Sequence, residues 1–164
     1  MFLNRREEKG YTYGVYSGFS ATKFPGPWSA GGDVRTEVTE GAMTEFMKEL
    51  NRIRDEKVPV EELEEQKRSV VAGFALSLES ASELLNYSII RKLYGLPDDY
   101  WETYPAKIMA VTADDVQRVA RQYVNPQTQQ IVVVGDAKKI KSILEKFGTV
   151  VVFDADGKPQ GTGK

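Results

Sequence analysis

Arg6–Val15, with the sequence REEKGYTYGV, is the stretch of the chain that decides its fold. It passes from a charged segment, typical of a helix end, through one glycine into an alternating aromatic segment that is typical of a β-strand. Two different elements therefore meet here, and they bring Arg6 and Tyr13 into one neighbourhood. A guanidinium and a phenol are both hydrogen-bond donors suited to binding a peptide carbonyl or carboxylate.

The strand that starts in this stretch is predicted to continue to Ser20 and to form one arm of a hairpin. Aromatic and β-branched residues alternate with other residues over 11–20, which is the pattern of a strand. Residues 24–27, with the sequence FPGP, predict the turn. Residues 28–35 predict the returning strand, with a bulge at Gly31-Gly32.

A run of helices is predicted after the hairpin, because apolar residues now recur at three- and four-residue spacing. These helices are predicted to begin near Thr36 or Thr39, Val60, Ser80 or Ser82, Leu96 and Thr112. Gly95 is predicted to end the third helix. Five apolar side chains of that helix are expected to pack inward, namely Leu84, Leu85, Ile89, Ile90 and Leu93.

The C-terminal part predicts a buried strand at Ile131–Val134, a small helix over 137–146, a strand over 149–153 and a frayed tail from Asp154. Strands at both ends with helices between them predict an α+β fold, with helices on one face of a mostly antiparallel sheet. Residues 1–4 already have the pattern of a helix tail, so we expect an N-terminally truncated domain. Its exposed sheet edge makes a homo-oligomer of the fragment an expected outcome.

Composition excludes several classes of function. A net charge of −2 argues against a nucleic-acid-binding domain, which would carry a basic excess. The absence of cysteine excludes disulfides and thiolate metal sites, and the absence of histidine removes the commonest metal ligand and general base. No apolar run approaches the roughly twenty residues needed to span a bilayer. The chain therefore suits the binding of a substrate whose chemistry is done elsewhere.

Five segments of the chain carry a family resemblance. They are 6–17 (REEKGYTYGVYS), 76–80 (LSLES), 94–100 (YGLPDDY), 111–116 (VTADDV) and 131–136 (IVVVGD). In this order they resemble the M16 zinc peptidases (insulinase-like or pitrilysin-type), and specifically their second, non-catalytic homologous domain. The resemblance implies an M16 peptidase-like (LuxS/MPP-like metallohydrolase) fold over 1–136. Residues 137–164 are then a C-terminal extension.

The resemblance also implies a division of labour between two halves that close around an unfolded peptide. One half carries a His-x-x-Glu-His zinc motif, in which the motif glutamate activates water. This chain has no histidine, so zinc is expected in a partner domain or subunit and no cofactor in this chain. The opposite half contributes an arginine and a tyrosine seven residues apart, and Arg6 and Tyr13 match that spacing. They are the predicted substrate-binding residues, and no catalytic or metal-binding residue is predicted here.

Other interpretations stay open at this point. From the residues alone, Arg6 fits a solvated charge at a helix end and Tyr13 fits a packed strand aromatic. Arg5 departs from the family, which tends to have an apolar residue there. A non-catalytic scaffold or assembly subunit of the same family is the alternative function, and a free-standing ligand-binding α+β domain is the third. The compartment stays open, although the export of many bacterial relatives favours the periplasm.

Overall fold

The computed structural model describes residues 12–20 and 22–160. These residues form an α+β structure in two compact units. The first unit comprises residues 12–19, 27–51 and 126–160, and the second comprises 20, 22–26 and 52–125. The strands are β1 (Thr12–Phe19), β2 (Trp28–Val34), β3 (Val152–Phe153) and β4 (Pro159–Gln160). The helices are α1 (Thr39–Asp55), α2 (Val60–Ser77), α3 (Ala81–Tyr94), α4 (Tyr100–Met109), α5 (Ala113–Tyr123) and α6 (Ala137–Leu144).

The predicted hairpin is confirmed, since β1 and β2 pair as antiparallel strands from Phe19 opposite Trp28 to Thr12 opposite Val34. The predicted position of the bulge is wrong. The register shifts between Thr12 and Val15 of β1, so the extra residue lies in β1 and not at Gly31-Gly32. Gly32 has another role, which is to leave room for the backbone of β1 to approach closely.

The first unit places its buried apolar side chains on α1 and α6. Ala42 and Leu50 of α1 and Ile140 of α6 are buried. Lys146, just after α6, donates a 2.6 Å hydrogen bond to Glu40 of α1. Both side chains of that ion pair are exposed, so it contributes little to the stability of the unit. The burial of apolar side chains on α1 and α6 therefore contributes more to this unit than the exposed ion pair does.

The second unit contains the helices α2 to α5. Ala120 of α5 and Val124 just after it are buried. The Arg121 guanidinium donates a 3.0 Å hydrogen bond to the carbonyl of Arg54. Because that carbonyl lies in the last turn of α1, the bond satisfies an acceptor that the helix itself leaves open. No helix in the described part of the chain combines the length and apolar character needed to cross a membrane.

The expected burial of the α3 side chains is wrong for four of the five residues. Leu84, Leu85, Ile89 and Leu93 are all exposed. The periodicity identified the helix correctly, but a helix buries an apolar face only where another element covers it. No element among residues 12–20 and 22–160 covers these four side chains.

The predicted strand at Ile131–Val134 is also wrong. These residues have no strand pairing within the described ranges, and Val134 is 97% exposed. A run of β-branched residues favours a strand, yet a strand needs a neighbour to satisfy its backbone groups, and no strand among the described residues pairs with it. Residues 152–160, where the sequence predicts a strand end and a frayed tail, form a short hairpin of β3 and β4.

Thr112 caps α5 through a reciprocal pair of hydrogen bonds. Its hydroxyl accepts from the Asp115 amide at 3.2 Å, and the Asp115 carboxylate accepts from the Thr112 amide at 3.2 Å and from its hydroxyl at 2.6 Å. Two N–H groups that a helix start leaves open are thereby satisfied. The bonds from Thr112, with a smaller effect of Arg118, hold the pKa of Asp115 below its ordinary value of 3.8.

We expect Thr112→Ala to lower the free energy of unfolding by about 1 kcal/mol at pH 7, measured by urea denaturation. A folded-state pKa below the unfolded value means that the cap stabilises the protein above about pH 4, and that this stabilisation is lost as the pH falls through the folded-state pKa. The difference between the two proteins should therefore shrink in acid. Thr44→Ala is the matched control, because the Thr44 hydroxyl donates to the Glu40 carbonyl within α1. An equal loss of stability in both variants would contradict the capping role.

Candidate functional site

The two predicted site residues fall at the edge of what the structure describes. Arg6 lies outside the described residues. The backbone of Tyr13 lies in β1, inside the segment between Thr12 and Val15 where the register to β2 shifts. The structure describes the backbone of Tyr13 but not its side chain. The proximity of Arg6 and Tyr13 therefore stays a prediction. Shifts of this kind redirect side chains and are common next to functional sites.

The hairpin around Tyr13 is shaped by close backbone approach. A Cβ at Gly32 would lie 2.6 Å from the Gly14 carbonyl oxygen, and one at Gly31 would lie 2.9 Å from the Tyr16 hydroxyl. The distance at Gly32 is to a backbone atom and is too short for any side chain, so Gly32 allows the backbone of β1 to lie where it does. The neighbour of Gly31 is the end of the Tyr16 side chain, which can move. The lack of a side chain at Gly32 thus lets β2 lie close to the strand that carries Tyr13.

Two glycines of β1 have no side chain to fill the space beside the strand. A Cβ built at Gly14 or at Gly18 would meet no atom within 4 Å. Within residues 12–20 and 22–160, β1 pairs with β2 alone. An extended peptide can add to such a strand through main-chain hydrogen bonds.

A second candidate site lies in the second unit and was missed by the sequence analysis. Aromatic rings from three helices, Phe74 of α2, Tyr87 of α3 and Trp101 and Tyr104 of α4, come together there. The ring centroids of Tyr87 and Trp101 are 4.5 Å apart, and those of Phe74 and Tyr104 are 5.0 Å apart. We call these four residues the aromatic cluster. Three aromatic residues at positions 100, 101 and 104 were the available signal.

The aromatic cluster borders a cleft of about 350 Å³. Gly73 and Ser77 of α2 also line the cleft. A Cβ at Gly73 would meet no atom within 4 Å, so the glycine keeps this part of the cleft open. The Trp101 indole N–H donates to the Tyr87 carbonyl at 3.0 Å, which fixes α4 against α3.

The chain's residues do not suit a zinc site of the His-x-x-Glu-His kind. The sequence contains no histidine or cysteine. In the two described ranges, no group of three or more acidic side chains is placed to hold a metal ion. No chemical step through a metal is assigned to this chain.

The chain is similar to a protein-family model and to solved structures. Residues 1–70 match the family model for the peptidase M16 inactive domain. The chain is also similar to the crystal structure of a peptidase M16 inactive domain from Pseudomonas fluorescens, at 25% sequence identity and a TM-score of 0.68. That match covers 75% of this chain and 29% of the other. None of the curated proteins compared with the chain matches it.

Proposed function

Because residues 1–70 match the peptidase M16 inactive domain and the chain is similar to a solved structure of such a domain, we propose that it binds the substrate of an M16-type zinc metalloendopeptidase. In this proposal it holds an extended, unfolded peptide opposite the zinc site of a partner domain or subunit. The zinc and the attacking water belong to that partner. The position of Tyr13 in β1, at the register shift, carries the proposal, together with the spacing of Arg6 and Tyr13.

The proposed chemistry of this chain is binding and charge stabilisation. When a scissile carbonyl is attacked, negative charge develops on its oxygen, and hydrogen-bond donors aimed at that oxygen lower the barrier. Arg6 and Tyr13 would supply such donors, and β1 would hold the peptide backbone beside them. Supplying the donors from a separate half would make cleavage depend on closure of the two halves.

The first test mixes the chain with its candidate zinc-bearing partner and follows cleavage of an unstructured peptide by fluorescence. We expect the mixture to cleave the peptide about 100-fold faster or more than the partner alone, since removing one such donor already costs that much. The chain alone should neither bind zinc nor cleave the peptide. Equal cleavage by the mixture and by the partner alone would refute the proposal.

A second candidate function is a scaffold or assembly subunit of the same family. The exposed apolar stripe of α3, Leu85, Ile89 and Leu93, favours it, because contiguous exposed apolar side chains mark interaction surfaces. The mixing experiment separates the two candidates. A scaffold would bind its partner without changing the rate of cleavage, and Arg6→Ala would have no effect on it.

A further inference from the structure

We propose that the cleft beside the aromatic cluster binds a small aromatic carboxylic acid, in which one ring carries a carboxylate on a short chain. At about 350 Å³, the cleft falls in the size range of small-ligand sites, about 300–1,000 Å³. An apolar cavity of about 150 Å³ already holds a benzene ring, so this cleft has room for one ring and a short polar group. The site involves neither Arg6 nor Tyr13, and the inference goes beyond the proposed function.

The walls of the cleft suit the ring of such a ligand. Val70 and Phe74 of α2 and Trp101 of α4 give the cleft a largely apolar lining. The rings of Phe74 and Tyr104 already meet at an angle of 53°, which is a tilted arrangement of the kind that aromatic pairs prefer. A ligand ring can pack against the same walls in the same way.

Two hydrogen-bond donors in the lining have no acceptor within the part of the chain that the structure describes. They are the hydroxyls of Tyr100 and Tyr104. The third tyrosine of the lining is different. The Ser77 hydroxyl gives its one hydrogen to the Phe74 carbonyl at 2.6 Å, so the 2.7 Å hydrogen bond between Ser77 and Tyr87 is donated by Tyr87. The two free donors call for a ligand that carries an acceptor.

The charge beside the cleft is positive. The Lys107 ammonium lies 5.2 Å from the ring centroid of Tyr100, and positions 100, 104 and 107 share one face of α4. No carboxylate in residues 12–20 and 22–160 forms an ion pair with Lys107, and no acidic side chain lines the cleft. One ammonium balances one negative charge, so a carboxylate fits better than a phosphate, which carries nearly two. Carboxylate oxygens also accept several hydrogen bonds at once.

Trp101 reports binding directly through its fluorescence. The chain has two tryptophans, and Trp28→Phe removes the other, which lies in β2. In this background we expect a saturable change in fluorescence with 3-phenylpropionate. The matched amide, 3-phenylpropanamide, has the same shape without the charge and should bind about 10-fold more weakly, because hydrogen bonds to a charged acceptor are stronger. Isothermal titration calorimetry on the unsubstituted chain should give the same ratio.

Lys107→Met tests the charge beside the cleft. Methionine keeps an unbranched apolar stem, so the variant should fold. It should bind 3-phenylpropionate about 3- to 5-fold more weakly, as the loss of an exposed ion pair predicts, and should bind the amide as the parent does. Lys138→Met is the matched control, because it removes the same charge at an exposed position of α6 that does not line the cleft.

Gly73→Leu should abolish the saturable response, because the added side chain fills the cleft without meeting an atom near its Cβ. Leucine also favours helix over glycine, so the variant should fold. Ala72→Leu places the same side chain at the neighbouring exposed position and should keep the response. Tyr13→Phe should bind 3-phenylpropionate as tightly as the parent, which separates this site from the proposed function.

Two results would overturn the inference. The first is equal binding of the acid and the amide, or an affinity for the acid that Lys107→Met leaves unchanged, since the site would then not recognise a carboxylate. The second is the absence of a saturable response, or a response unchanged by Gly73→Leu. In that case the aromatic cluster is packing between α2, α3 and α4 only.

Discussion

Tyr13→Phe is expected to lower kcat/KM of the assembled peptidase by about 100- to 1,000-fold, the cost of losing one donor to a developing oxyanion. The zinc content of the assembled enzyme should stay unchanged, because in the proposed assembly the partner holds the metal. Arg6→Ala should lower kcat/KM at least as much, since its guanidinium adds charge to the hydrogen bonds. Peptide cleavage and metal analysis on the same samples measure both quantities.

The chain offers matched controls for both substitutions. Tyr16→Phe makes the same change three residues along β1, at a side chain that is exposed and lies over Gly31, and it should keep full activity. Arg5→Ala removes the neighbouring arginine and should also keep it. Full turnover by Tyr13→Phe and by Arg6→Ala would refute the role of the pair. Inactivity of Arg5→Ala with an active Arg6→Ala would show that the wrong arginine was assigned.

Leu50→Ala should have the largest effect on stability, with a loss of about 2–5 kcal/mol in the free energy of unfolding. Leu50 lies on α1 and is 2% exposed, so truncation leaves a cavity that the surrounding side chains fill only in part. Urea denaturation followed by far-ultraviolet circular dichroism measures the loss.

Leu85→Ala is the matched control for this prediction. It makes the same substitution at a position that is 62% exposed, where little apolar contact is lost, and its cost should stay within about 0.5 kcal/mol. Similar losses in the two variants would mean that Leu50 is no more important to the fold than an exposed residue.

The local parts of the fold could be predicted from the sequence. Ser80 accepts a hydrogen bond from the Glu83 amide and caps α3, and Gly95 ends that helix in the left-handed conformation at a φ of 61°. Both follow from residue chemistry within one or two turns, because the cap needs a short polar side chain and the end needs a residue without a Cβ. The hairpin of β1 and β2 followed from alternation and a turn for the same reason.

The parts that depend on distant neighbours could not be predicted. Ile131–Val134 has the composition of a strand, but pairing requires a second strand that composition does not specify. The apolar face of α3 predicted burial, yet only a covering element would bury it. The aromatic cluster was missed because its rings come from three helices, and no spacing within one helix brings Phe74, Tyr87 and Trp101 together.

Arg6 and Tyr13 were identified from the resemblance to the M16 peptidases, because no periodicity or spacing in the sequence points to them. An arginine and a tyrosine seven residues apart have no special meaning in a helix or a strand, and both residue types are common on protein surfaces. What the structure adds is the position of Tyr13 in β1, beside a shift in register. The shift itself could not be read from the sequence, which favoured Gly31-Gly32 as the bulge.

The exposed run at Ile131–Val134 has a consequence for the isolated chain in solution. It ends an eight-residue window, residues 127–134, that has no charge, proline or glycine, which is the composition of segments that stack into amyloid fibrils. Pro126 directly upstream and Gly135-Asp136 directly downstream limit the length of this window. Protein concentration and storage time, as much as folding stability, will therefore govern how long a purified sample stays dispersed.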